Sequence, residues 1–295
     1  MRYVDRYLSS EYSFLEVTVY DDEDVALLLE YQNEKNILIS LEFIQYLSYF
    51  PNAERLILTS GNVTKKSHEV FKTLKYLKEL KLDYDEDEPS TPWCIDISVF
   101  PRLEYLFSRS SYNFCGISKS KSLKTLKVVK WHEKDLKQLK EGTLDSLCIC
   151  GGKLQTLSGI GESSIQALSL SNLKNLKDIS HIENIPLKIL ELDSCNQIPS
   201  LEEFSSSSLE YLMVYGKNRV QSGSFILNFK NIKRLMLDII IEDGDLSFFD
   251  NLEHVVILTD KRFFNRTNSN LPKSTSKYTI KTIPNWRYIF SDRNL

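Results

Sequence analysis

The chain lacks most of what the common function classes require. No apolar run approaches the roughly 18 residues that cross a bilayer as a helix, and the opening residues, Met1-Arg-Tyr-Val-Asp-Arg-Tyr7, hold no apolar signal-peptide core. The five cysteines, at 94, 115, 148, 150 and 195, are odd in number and unevenly spaced. That pattern predicts no disulfide framework, and with it a reducing, cytoplasmic setting. His68, His132, His181 and His254 have no ligand-like spacing with one another or with cysteine. A formal net charge of −3 is too small to point to nucleic acid or an anionic membrane surface.

Catalytic signatures are missing as well. Gly159-Ile-Gly161 lacks the third glycine of a dinucleotide fingerprint, and neither a phosphate loop nor a G-x-S-x-G elbow occurs. The acidic run Asp83-Tyr-Asp-Glu-Asp-Glu88 has no turn-forming glycine and reads as a solvated loop rather than a calcium site. Asn62-Val-Thr64 and Asn265-Arg-Thr267 match the glycosylation pattern but read as chance without an export signal. The expectation is a protein that is not an enzyme, with no cofactor and no metal.

What is present is one pattern written many times. Leu144-x-x-Leu147-x-Ile149 is followed by copies starting at Ile165, Leu187 and Leu209, in nearly equal steps. A fixed period of about 20 residues is the mark of a stacked solenoid. Weaker copies start at Phe14, Glu34, Ala53, Leu77, Leu103 and Leu123, and later at Ile232 and Leu252, giving about twelve coils. Apolar residues at template positions 4 and 6 alternate with others at 3, 5 and 7, the period of a half-buried strand. Each strand is too short to bury a core alone, so neighbours must stack in parallel.

The L-x-x-L-x-L repeat resembles the leucine-rich repeat family, in the short-period form of internalin-like proteins, over about residues 14–258. The resemblance implies an α/β solenoid: an arc with a parallel sheet lining its concave side and a protein partner bound there. Position 9 in that family is an asparagine that bonds backbone between coils. Here it reads Gly61, Asp85, Ser111, Trp131, Gly152, Leu173, Cys195, Lys217 and Ile240, and only Cys195 is a familiar substitute. The coils are therefore expected to stack less regularly than in the family.

Helical return segments are expected mainly in the first half, over 24–32, 41–50, 67–77 and 132–140. Later returns are short and Ser-rich, with room for a turn of 3₁₀ helix. A single domain is expected, with residues 1–13 as an amino-terminal cap, 14–258 as repeats and 259–295 as a carboxy-terminal cap.

The template also assigns faces. Tyr105, Phe107 and Arg109 should share one exposed strand face, and Tyr211, Met213 and Tyr215 another. Small side chains lie between them at Ser146, Cys148, Cys150, Ala167, Ser169 and Ser171. Aromatic, Met and Arg residues are enriched at binding hot spots, so the two clusters are expected to grip a partner across that floor. Lys127 adds positive charge near the first; Glu191, Asp193 and Arg234 add mixed charge near the second. The expected role is recognition of a folded protein, with no nucleic acid and no membrane, by a monomer. An inhibitor or immunity-type protein is one form of that role, and a scaffold or regulatory subunit is another. A surface adhesin is the reading of another class.

Overall fold

The computed structural model describes residues 2–5, 12–20, 22–61, 63–84, 94–140, 142–198, 200–258, 264–266 and 270–272. They group into two compact units, one reaching Val129 and one beginning at Lys130. Each is a stack of coils. Most of the expected carboxy-terminal cap, 259–295, lies outside the described residues.

The first unit carries β1 (Arg2–Asp5), β2 (Ser13–Val17), β3 (Asn36–Ile39), β4 (Arg55–Leu58), β5 (Glu79–Leu82), β6 (Ile95–Asp96), β7 (Tyr105–Ser110), β8 (Phe114–Cys115) and β9 (Thr125–Lys130). Strands β2, β3, β4, β5, β7 and β9 lie side by side in that order, while β1 runs antiparallel along the outer edge of β2. The second unit carries β10 (Ser146–Cys150), β11 (Ala167–Ser171), β12 (Ile189–Asp193), β13 (Tyr211–Val220), β14 (Arg234–Ile241) and β15 (His254–Ile257), all parallel. Among the described residues, six repeat strands in each unit make the twelve coils that the period implies.

Register follows the template. Leu147, Leu168, Leu190, Leu212, Leu235 and Val255 form one inward row; Ile149, Leu170, Leu192, Val214, Leu237 and Ile257 form the next. All twelve are buried. A one-residue slip would turn both rows to the other face, so apolar burial holds each coil in place. The return segments close the rear of the core with Leu154, Leu157, Ile160, Leu173, Leu176, Ile179 and Ile182, also buried. Their serines cap turns: Ser200 and Ser222 accept from the backbone N–H groups of Glu202 and Ser224, each at 3.1 Å, and start short 3₁₀ segments.

Position 2 holds a second ladder. The carbonyl of Glu54 accepts from Lys78 N, that of Gln166 from Lys188 N, and those of Lys188 and Glu210 from the same position one coil on, at 2.8–2.9 Å. Charges in this column alternate in sign where they meet. Glu54 bridges Lys35 and Lys78 at 2.7 and 2.8 Å, and Glu210 meets Lys233 at 2.7 Å. Between its two lysines the Glu54 carboxyl is held down at a pKa of about 2.

Three expectations need correction. The first copy is framed two residues late: Leu15 pairs with Ile37 and Val17 with Ile39, so its template starts at Tyr12, not Phe14. A two-residue shift keeps the alternation intact, so the pattern alone cannot detect it.

The helices sit in the first half, as expected, but are fewer and shorter. Helix α1 (Asp22–Leu28) and helix α2 (Lys65–Phe71) are α-helical, whereas Leu41–Tyr49 is a 3₁₀ helix and 132–140 contains only the turn Lys137–Leu139. Cys94 and Cys115 form a disulfide, contrary to the expectation of none, because β6 and β8 pair one coil apart on the return side. Their separation of 21 residues is one repeat period. The ground for a reducing compartment is thereby lost.

Position 9 is filled differently from coil to coil. The Cys195 thiol donates to Leu170 O at 3.4 Å, in the preceding coil, and so does what the family's asparagine would do. Trp131 fills its coil instead, fully buried, and donates Nε1–H to Asp135 O at 3.0 Å. Gly152 takes φ +115° where its chain passes against the Trp131 backbone, leaving no space for a Cβ. Varied residues at this position still permit regular pairing through the second unit, with one register shift between Tyr215 and Arg219 on β13.

Candidate protein-binding face

Positions 3, 5 and 7 of every coil form the front of the sheet, away from the return segments. In the first unit this face is more closed than expected. Tyr105 is buried and Phe107 is fully so. The reason is cross-strand packing: the Lys81 and Lys127 ammoniums stand 5.0 and 5.9 Å from the centroid of the Phe107 ring. Lys127 is itself buried, its stem lying along the apolar surface. Arg109 Nε meets Asp83 at 2.6 Å, with Lys81 Nζ at 3.8 Å from the same carboxylate. Asp83 is thus tied into the sheet; the remaining acidic positions, 85–88, lie outside the described residues.

The template overlooked Tyr12. Arg55 stacks over its ring at 3.9 Å and reaches Glu79 Oε1 and Asn36 Oδ1, both at 3.2 Å. Tyr12, Arg55 and Glu79, together with Phe14, Ile57 and Tyr105, line a small cleft. The signal was in the spacing: Tyr12 to Glu34 matches the step between the central copies, whereas Phe14 to Glu34 falls short of it.

In the second unit the front changes character from one side to the other. Cys148, Ala167 and Ile189 form a buried cluster on which Tyr211 and Met213 pack. Glu191 is buried beside them and accepts from Ser169 Oγ at 2.8 Å. Of the floor of small side chains, Ser146, Cys148, Ala167 and Ser169 are therefore covered while Cys150 and Ser171 stay half-buried, and Glu191 belongs to the covered part rather than being an exposed charge.

From β13 onward the face opens. Tyr211, Met213 and Tyr215 on β13 are half-buried, as are Arg234, Met236 and Asp238 on β14 and Val256 on β15. Parallel pairing places Tyr211 beside Arg234, Met213 beside Met236, and Tyr215 beside Asp238. Arg234 sits 5.1 Å from the Tyr211 ring centroid and 3.8 Å from Glu253. Asp193 is paired in register with Tyr215 and also stays half-buried. His254 closes the row; burial, then the neighbouring Arg234 charge, push its imidazole below its usual pKa. The result is an apolar, sulfur- and ring-bearing strip three strands wide, with carboxylates at one margin.

Among the described residues, no three or more His, Cys, Asp or Glu side chains gather where they could hold a metal ion. Cys148 and Cys150 keep their thiols, facing forward on β10. Asn265, in one of the glycosylation-like triplets, has its side chain engaged with Leu246 N and Asp245 Oδ1. No helix among the described residues is long and apolar enough to cross a membrane.

No family model and no curated protein matches the chain. Solved structures do. An internalin from Listeria monocytogenes superposes with a TM-score of 0.47 at 13% identity, over 84% of this chain and 82% of that one. The TLR13 chain of a TLR13–ssRNA13 complex gives 0.42 at 14% identity, over 81% of this chain and 48% of that one. A leucine-rich repeat protein from Leptospira interrogans gives 0.32 at 17% identity, over 80% and 81%. The in-register L-x-x-L-x-L rows and the parallel coil stack of each unit make the fold of this chain that of a leucine-rich repeat protein.

Proposed function

We propose that the protein is a non-enzymatic recognition module that binds a folded protein through the front of its second unit. One observation carries the reading: Tyr211, Met213, Tyr215 and Met236 stand half-buried, in register, on two adjacent strands. Adaptable Met and ring-bearing Tyr supply contact area, and Asp193, Asp238 and Arg234 supply a polar margin, the usual anatomy of an interface. Tyr105 and Phe107, buried in the first unit, have no part in this reading. Arg109 and Lys127 have no part in it either, being engaged with Asp83 and Phe107.

An inhibitor or immunity-type role suits such a surface, since covering a partner's working site needs area and no chemistry. A scaffold or regulatory subunit uses the same face. The experiment is affinity capture with the native protein and with a Tyr211→Ala, Met213→Ala, Tyr215→Ala variant of matched stability. A protein retained stoichiometrically by the first and lost by the second supports the reading. Equal retention by both removes it.

A further inference from the structure

The chain carries three methionines, Met1, Met213 and Met236. The two internal ones are direct cross-strand partners on β13 and β14, and both stand half-buried on the front of the second unit. The inward rows of the same sheet are filled by Leu, Ile and Val throughout. Thioethers are thus concentrated at one place, on the face assigned to recognition. Unlike a leucine, a methionine has reactive chemistry: its sulfur is oxidised by peroxide, and more readily the more accessible it is. The two sulfurs are not equivalent. Tyr215 Oη donates to Met236 Sδ at 2.7 Å and so engages its lone-pair density, whereas Met213 packs on the cluster of Cys148, Ala167 and Ile189.

We infer that Met213 and Met236 form a peroxide-reactive pair whose oxidation switches the recognition face off. In each step a sulfur lone pair attacks one peroxide oxygen, forming the S–O bond as the O–O bond breaks. The sulfur gives up two electrons; the departing hydroxide takes the proton of the transferred oxygen and leaves as water. Each product is a sulfoxide, whose polar oxygen loses its water under any partner that covers the strip. Met213 reacts first, and Met236 more slowly because Tyr215 engages its sulfur. The switching rests on the proposed function, while the reactivity of the pair does not.

The test is hydrogen peroxide on the full native chain, followed by peptide mass mapping at both residues. Met213 should oxidise within about tenfold of its rate in the urea-unfolded chain, and Met236 at least about threefold more slowly than Met213. Tyr215→Phe should close that gap. The oxidised protein, still folded by its thermal transition, should hold the protein captured by the native face at least about tenfold more weakly. Methionine sulfoxide reductase with dithiothreitol should restore binding, and dithiothreitol alone, which repairs thiols and not sulfoxides, should not. An inert Met213, equal native rates at the two sulfurs, or full binding after both are oxidised overturns the inference and leaves recognition standing. A face that captures nothing in either state removes the proposed function instead, and the reactive pair then stands or falls on the mapping alone.

Discussion

Tyr215 Oη lies 2.7 Å from Met236 Sδ, a diagonal contact between neighbouring strands, since the residue directly opposite Tyr215 is Asp238. The contact leans the ring across the strip and holds it there. Truncating Tyr211, Met213 and Tyr215 to Ala should weaken partner binding by at least about 30-fold, the equivalent of one lost hot spot of about 2 kcal/mol. Thermal unfolding should move little, because these side chains are only half-buried while the inward rows stay intact. Titration calorimetry with a captured partner checks the first statement and calorimetric unfolding the second.

Charge alternation at position 2 gives a separate handle. Glu54→Lys would set three lysines at 35, 54 and 78 in one column. The expected cost is about 1 kcal/mol, the modest scale of solvent-screened pairs, and it should shrink as salt rises to about 1 M. Because the folded-state pKa of Glu54 is lowered to about 2, its native contribution is complete above the usual carboxylate range. It is lost as pH falls from about 4.5 toward about 2. Denaturant midpoints at two salt concentrations, for native and variant, decide the matter.

Burial raises the pKa of Cys195 to about 11 from an ordinary value of 9.0. The unfolded chain releases this proton first, so deprotonation favours unfolding and stability falls as pH rises through that window. The slope contributed should be about 1.4 kcal/mol per pH unit. Other groups titrate there too. The difference between native and Cys195→Ala protein, followed by denaturation across the window from 9.0 to about 11, isolates this one and should narrow steadily.

The Cys94–Cys115 bond closes a loop of one repeat. Chain-entropy arguments put its contribution at about 3 kcal/mol for such a loop, or about 6–12 °C in Tm for a unit of this size. Reduction, or Cys94→Ser with Cys115→Ser, should produce that loss. A melting temperature indifferent to reductant would show that the bond adds nothing.

Gly152→Ala tests the close passage at Trp131. A Cβ there meets backbone rather than a movable side chain, and φ +115° is unfavourable for any L-residue. The expected loss is about 3 kcal/mol or more, whereas Gly161→Ala, where the nearest atom is 3.9 Å away, should change stability by under about 1 kcal/mol. Denaturation of the two variants side by side measures the contrast.

How much of this was legible in the letters depends on the face concerned. Leu147, Leu168, Leu190 and Leu212 could be assigned inward because only one strand register buries all of them. The opening copy could not be framed by alternation, since starts at Tyr12 and Phe14 put the same residues inward and outward alike. Phe107 was read as exposed because its position faces forward. Whether a forward ring is free depends on what stands on the strands beside it, here Lys81 in the coil before and Lys127 in the coil after.

The sequence by itself determined the coil: its period, its inward leucines and the parallel stacking they require, because burial of a period-two stripe has one solution. Tertiary structure alone decided which forward side chains remain accessible and which cysteines meet. Both depend on neighbours one repeat apart, at β6 and β8 for the cysteines and at β12 to β15 for the strip. A linear pattern specifies its own alternation, but not the exposure left after its neighbours have packed against it.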